Sequence, residues 1–143
     1  MKQWFETTIA YQKEVEDGKV KKVKESFLVD AINFGEAEVR IIKEASQLVS
    51  GEFEVDGVKK EGISEVFRNE EGGTWFKTKV CFVTLDEVSG KEKRTKNIMY
   101  VQCMEIDDVI EKLTKDLKGT MADYVITSIV ETKILDVFDY VVE

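Results

Sequence analysis

The chain predicts an α+β fold made by tandem duplication of a ββαβ unit: two small antiparallel or mixed sheets, each with one helix, in a pseudo-twofold globule. Three observations lead there. The sequence aligns with itself at a nearly constant offset, each copy changes from a period of two to one near 3.6 and back, and apolar residues make up 43% of 143 residues, enough for a real core.

The self-alignment starts at Trp4-Phe5-Glu6-Thr7-Thr8-Ile9-Ala10-Tyr11, which matches Trp75-Phe76-Lys77-Thr78-Lys79-Val80-Cys81-Phe82. One extra residue at the following turn shifts the register, so Phe27-Leu28-Val29-Asp30-Ala31 meets Met99-Tyr100-Val101-Gln102-Cys103. The original offset then returns, and Phe53 to Phe67 runs against Tyr124 to Phe138 without a gap. Residues 1–71 are the first repeat and 72–143 the second, joined by Arg68-Asn69-Glu70-Glu71-Gly72-Gly73 and sharing one globular domain.

Each element follows from its pattern. Phe5, Thr7, Ile9 and Tyr11 alternate with Trp4, Glu6, Thr8 and Ala10, the signature of a pleated strand, and Phe76, Thr78, Val80 and Phe82 repeat it. Asp17-Gly18 and Ser89-Gly90 supply residues that accept positive φ, so each first strand turns back as a hairpin. Phe34, Ala37, Ile41, Ala45 and Leu48 form a helical stripe, as do Ile106, Val109, Ile110, Leu113 and Leu117. Asn33 with Glu36 reads as a capping box, Asp107-Asp108 and Glu36-Glu38 suit the positive end of a helix dipole, and Gly51 and Gly119 stop the helices. Third strands begin at Phe53 and Tyr124, with Asp56-Gly57 bulging the first, so three strands are expected per sheet. Glu65 and Asp136 recur before Val66-Phe67 and Val137-Phe138, pointing to a shared geometry for the tails.

Composition limits the chemistry. There is no histidine, which removes Ser-His and Cys-His nucleophiles, imidazole acid–base catalysis and His-containing metal sites. Cys81 and Cys103 lie in strand-like sequence and read as reduced core thiols. No catalytic, metal or cofactor-binding residue is assigned, and the protein is expected not to be an enzyme. No secretory h-region or long apolar span is present, which predicts a cytoplasmic protein without membrane contact.

The candidate binding residues are two basic hairpin arms with their neighbouring indoles. Lys19, Lys21, Lys22 and Lys24 follow the first turn; Lys91, Lys93, Arg94 and Lys96 follow the second; Trp4 and Trp75 offer flat rings. Such ribbons could track a phosphate backbone while aromatics stack on bases. The net charge of −8 opposes this, and each half carries more acid than base. Lysines on outward strand faces also serve solubility and discourage edge pairing. The turn at Lys118 to Tyr124 departs from its counterpart at Ser50 to Phe53, which marks it as a place for a unique interaction.

Trp4-Phe5, Val29-Asp30-Ala31, Glu36 to Ile41, Ser50 to Val55, Trp75-Phe76-Lys77 and Lys118 to Tyr124, in this order, resemble an uncharacterised family of small proteins from gut Bacteroidetes and their phages. The resemblance covers nearly the whole chain and carries no activity. It implies an accessory protein of a phage or mobile element, acting in the host cytoplasm. The leading expectation is a non-enzymatic protein that binds another macromolecule, most naturally a protein, by docking, scaffolding or inhibition of a host factor. The alternative is a single-stranded nucleic-acid binder using the paired hairpins in DNA replication or recombination. A monomer or a homodimer fits either.

Overall fold

The computed structural model describes residues 3–140. Among these, two compact units emerge, one formed by residues 3–62 together with 133–140, the other by Ile63–Thr132.

The first unit contains β1 (Gln3–Glu14), β2 (Val20–Ala31), α1 (Phe34–Leu48) and β3 (Phe53–Glu61). The second contains β4 (Ile63–Phe67), β5 (Thr74–Leu85), β6 (Glu92–Cys103), α2 (Val109–Asp116) and β7 (Asp123–Glu131). The last strand, β8 (Ile134–Phe138), returns to the first unit. Sheet order is β3-β1-β2-β8 in one and β4-β6-β5-β7 in the other.

The α+β class with one helix per sheet is what the patterning predicts; the strand count is not. Each sheet has four strands rather than three, because the tails are strands and they trade places. β4 follows the first repeat but pairs parallel to β6, with Phe67 beside Val101. β8 follows the second repeat but pairs parallel to β2, with Phe138 beside Val29. The repeat in sequence and the sheet in space therefore contain different residues.

Inside each unit the two copies build alike. Phe5 and Ile9 from β1 with Phe27, Val29 and Ala31 from β2 meet Ala37, Ile41 and Ala45 of α1. Phe76, Val80, Met99, Val101 and Cys103 meet Val109, Leu113 and Leu117 in the other unit. Each large apolar side chain in these clusters contributes about 1.5–3 kcal/mol of transfer free energy. Parts of the predicted stripes lie outside: Phe34, Leu48 and Ile106 at their ends, and Ile110 in the middle of the second, are all exposed. Ile106 belongs to a 3-10 turn before α2, so the second helix starts later than its periodicity suggests.

Local chemistry explains the boundaries. Asn33 Oδ1 accepts the Glu36 N–H at 2.9 Å and Glu36 Oε1 accepts the Ile32 N–H at 3.2 Å, a capping box displaced by one residue at its return bond. At α2, Asp108 occupies the N-cap without a side-chain capping bond. The first hairpin turns through Asp17 and Gly18, both at positive φ. The second is longer: Asp86 Oδ1 accepts from Val88 N at 2.9 Å and Ser89 N at 3.4 Å before Gly90 turns the chain. That extra residue is the one that shifts the self-alignment. The Asp56 bulge is present between Thr8 and Ile9, and β7 has its match between Lys79 and Val80. At Gly73, with φ +125°, an added Cβ would sit on the Cys103 carbonyl, so only glycine lets β5 begin there.

Candidate functional site

The two basic arms are the ribbon ends of β1–β2 and β5–β6, and their electrostatic states differ. On the first, Lys24 pairs with Asp56 at 3.2 Å and Lys22 with Glu54 at 3.6 Å, both carboxylates belonging to β3, while Lys13 approaches Glu25 at 3.9 Å. Lys19 and Lys21 are exposed near the turn. On the second, Lys91, Lys93, Arg94 and Lys96 are exposed and form no ion pair with a carboxylate among the described residues. Strand alternation puts Arg94 and Lys96 on one face of the ribbon and Lys93 on the other. Leu85 and Val88 are 72% and 97% exposed beside these cations, whereas the first arm exposes Val20 at 64% and Val15 at 38%.

The difference has a sequence cause. From Trp75 to Leu85 and from Lys93 to Cys103 there is no Asp or Glu, while β1 and β2 carry Glu6, Glu14, Glu25 and Asp30. The second ribbon thus carries a single strand carboxylate, Glu92 at the start of β6, with Asp86 and Glu87 in its turn; none of the three forms an ion pair with its cations among the described residues, and its neighbour β7 carries acid only at its ends, Asp123 and Glu131.

The indoles do not join the arms. Trp4 is 7% exposed and Trp75 fully buried, so neither presents a ring face for a base to stack on. The Trp75 indole N–H has no acceptor among the described residues, and the Arg68 guanidinium lies 5.9 Å from its ring centroid. An unmade bond of this kind costs about 1–3 kcal/mol. The Lys118 to Tyr124 turn ends α2 with Gly119 at positive φ and leaves Met121 fully exposed.

A polar cluster that sequence reasoning did not single out closes the first unit. Asp30, 1% exposed, accepts from the Tyr140 N–H at 2.7 Å and from Arg40 Nη1 at 3.2 Å, and its main-chain oxygen also accepts from Arg40 Nη1. Arg40 Nη2 reaches Glu36 at 2.9 Å, and the guanidinium lies 4.3 Å from the Tyr140 ring centroid. Tyr140 donates its hydroxyl to Glu44 at 2.6 Å. Burial, then the Glu44 hydrogen bond and charge, push the Tyr140 phenol well above its ordinary 10.0. The one signal in sequence is a carboxylate, Asp30, standing between apolar residues of a strand. Its counterpart Gln102 does the same work without charge: Oε1 accepts the Asn69 N–H at 3.0 Å and Nε2 donates to the Gly73 carbonyl at 3.4 Å. Asn69 and Tyr140 each lie just past a tail strand, so both clusters are clamps on a tail. They are committed to one another rather than open to a ligand.

Remaining recesses are shallow and mixed. One at α2 is lined by Asn69, Cys103, Asp108, Glu111 and Lys112; burial pushes the Cys103 thiol up from its ordinary value, so this sulfur is a poor nucleophile. No group of three Cys, Asp or Glu side chains is disposed to hold a metal among the described residues, and no described helix is long and apolar enough to cross a membrane.

Fold and site together define a small α+β protein with an exposed cationic ribbon. A family model spans residues 3–140, and the chain belongs to that family, a domain of unknown function (DUF4494). No curated protein and no solved structure matches the chain.

Proposed function

We propose that this protein is a non-catalytic binding module that docks another protein through the β5–β6 arm. The observation behind this reading is the unpaired state of Lys91, Lys93, Arg94 and Lys96 beside exposed Leu85 and Val88. Cations held without carboxylate partners keep their full charge for a partner, and adjacent aliphatic side chains add area that water leaves on contact. A partner with an acidic rim around an apolar patch fits this surface. The chain's own charge of −8 makes a polyanionic nucleic acid a poorer match than a locally acidic protein. In a phage or mobile-element setting the partner would be a host or replication protein, and free Cys81 and Cys103 suit a reducing cytoplasm.

A photo-crosslinking side chain placed at Val88 tests this. In nuclease-treated cell extract it is expected to capture one protein with an acidic surface. Lys93→Glu with Arg94→Glu abolishes capture and Lys21→Glu with Lys22→Glu leaves it intact. Equal loss from both pairs of substitutions would refute the arm. Binding of a labelled single-stranded oligonucleotide that falls steeply with salt, and is lost with Lys93 and Arg94, would transfer the arm to nucleic acid.

A further inference from the structure

The connection between β3 and β4 is a single residue, Gly62. Two Cα steps span at most about 7 Å. The position beside β2 that a fourth strand fills lies three strand spacings from β3, about 14 Å across the sheet. It also begins level with Ser26, whereas β3 ends level with Asp30, a further 13 Å or so along the strands. The other repeat has the same mismatch. Glu131 to Ile134 reaches about 11 Å, against roughly 17 Å from the end of β7 to the place beside β6 where Ile63 pairs with Ile98. Neither repeat can complete its own sheet with its own tail.

Each sheet therefore carries a slot that must be filled by a strand from elsewhere. Both tails have the same chemistry, Ile63-Ser64-Glu65-Val66-Phe67 and Ile134-Leu135-Asp136-Val137-Phe138. In the first unit Ile134 and Val137 are buried, and Phe138 stacks on Phe27 with ring centroids 5.7 Å apart. Slot and clamp recognise an extended parallel strand by backbone bonds, by Val and Phe, and by the N–H two residues past the strand that Asp30 or Gln102 accepts.

We infer that these slots are self-recognition sites, and that β8 of one chain enters the β2 slot of a second copy to give a strand-exchanged dimer. The β8–β2 register and the Asp30 clamp on the Tyr140 N–H can be made within one chain or between two, so chain concentration during folding decides the ratio. Closed monomers form in dilute solution, and exchanged dimers accumulate when chains fold close together.

The test refolds a mixture of isotopically heavy and ordinary chains over micromolar to millimolar concentrations and weighs the products by native mass spectrometry. A mixed-mass dimer that grows with refolding concentration and persists on dilution is expected. Position is read by refolding one chain bearing Leu28→Cys with another bearing Val137→Cys. These residues are register partners, and neighbouring strands lie about 4.8 Å apart, within disulfide reach. A covalent dimer that needs both substitutions supports exchange. A Leu28→Cys, Val137→Cys double variant that closes only within single chains, with monomers at every concentration, would overturn it. So would a concentration-dependent dimer in the mixture of Leu28→Cys chains with Val137→Cys chains that contains no disulfide between the two substituted positions.

Discussion

The two tail clamps occupy equivalent places and use different chemistry. Around Asp30 a buried carboxylate, a guanidinium, a phenol and two further carboxylates interlock. Around Gln102 one amide accepts the Asn69 N–H and donates to the Gly73 carbonyl. The duplicated backbone dictates that an N–H beyond the tail strand needs an acceptor; it does not dictate a charged one. A neutral amide meets the requirement with little desolvation cost, while a charged cluster is favourable only when complete.

The largest break in that comparison comes from removing the acceptors. Asp30→Ala leaves Arg40 short of one carboxylate and the Tyr140 N–H without its acceptor, and is expected to cost about 3–5 kcal/mol. Gln102→Ala orphans one neutral N–H and should cost about 1–3 kcal/mol. Urea unfolding midpoints of the two variants measure the gap, and equal losses would erase the distinction between the clamps.

Alkaline pH gives a second, smaller contrast. The folded protein holds the Tyr140 phenol above the unfolded value of 10.0, so the neutral form is favoured by folding. That stability is fully present below pH 10 and is lost as pH rises through the raised folded value. Unfolding free energy of the wild type is expected to decline from about pH 10 upward. Tyr140→Phe should flatten the decline, leaving the slope from Tyr11, whose phenol is also raised by burial and Glu25. An unchanged slope in Tyr140→Phe would show that the clamp does not sense the phenol's charge.

The smallest effect separates the arms. Lys24→Ala removes an exposed pair with Asp56 and should cost under about 1 kcal/mol, less in high salt. Arg94→Ala removes no ion pair among the described residues and should leave the midpoint unmoved. A matching loss at Arg94 would reveal that the second arm is neutralised as the first is.

Much of this architecture was legible in the residues. The alternation from Phe5 to Tyr11, the Asp17-Gly18 and Ser89-Gly90 turns, the Asn33 cap and the Asp56 bulge are set by neighbours along the chain, and local chemistry is what a sequence displays. The tails were visible as a repeated pattern at Glu65-Val66-Phe67 and Asp136-Val137-Phe138 but not as strands in exchanged sheets. Their partners, β6 and β2, are distant in sequence, and a five-residue strand has too few alternations to announce its pairing. The lysines were legible as two matching sets. Their neutralisation was not, because Glu54 and Asp56 approach Lys22 and Lys24 only when β3 and β2 flank β1. Trp4 and Trp75 looked available for the same reason: burial is a property of the sheet's surroundings and not of the strand.

The pairing of Ser26 with Ile134 and of Val29 with Phe138 sets an order on synthesis. A ribosome releases the first sheet with its outer place vacant, and that place stays vacant until Ile134 to Phe138 have been made. Non-local closure of this sort is slow. A nascent chain therefore passes from Ala31 to Ile134 with β2 offering unpaired backbone, and a premature stop just before Ile134 would yield a product with that edge permanently open.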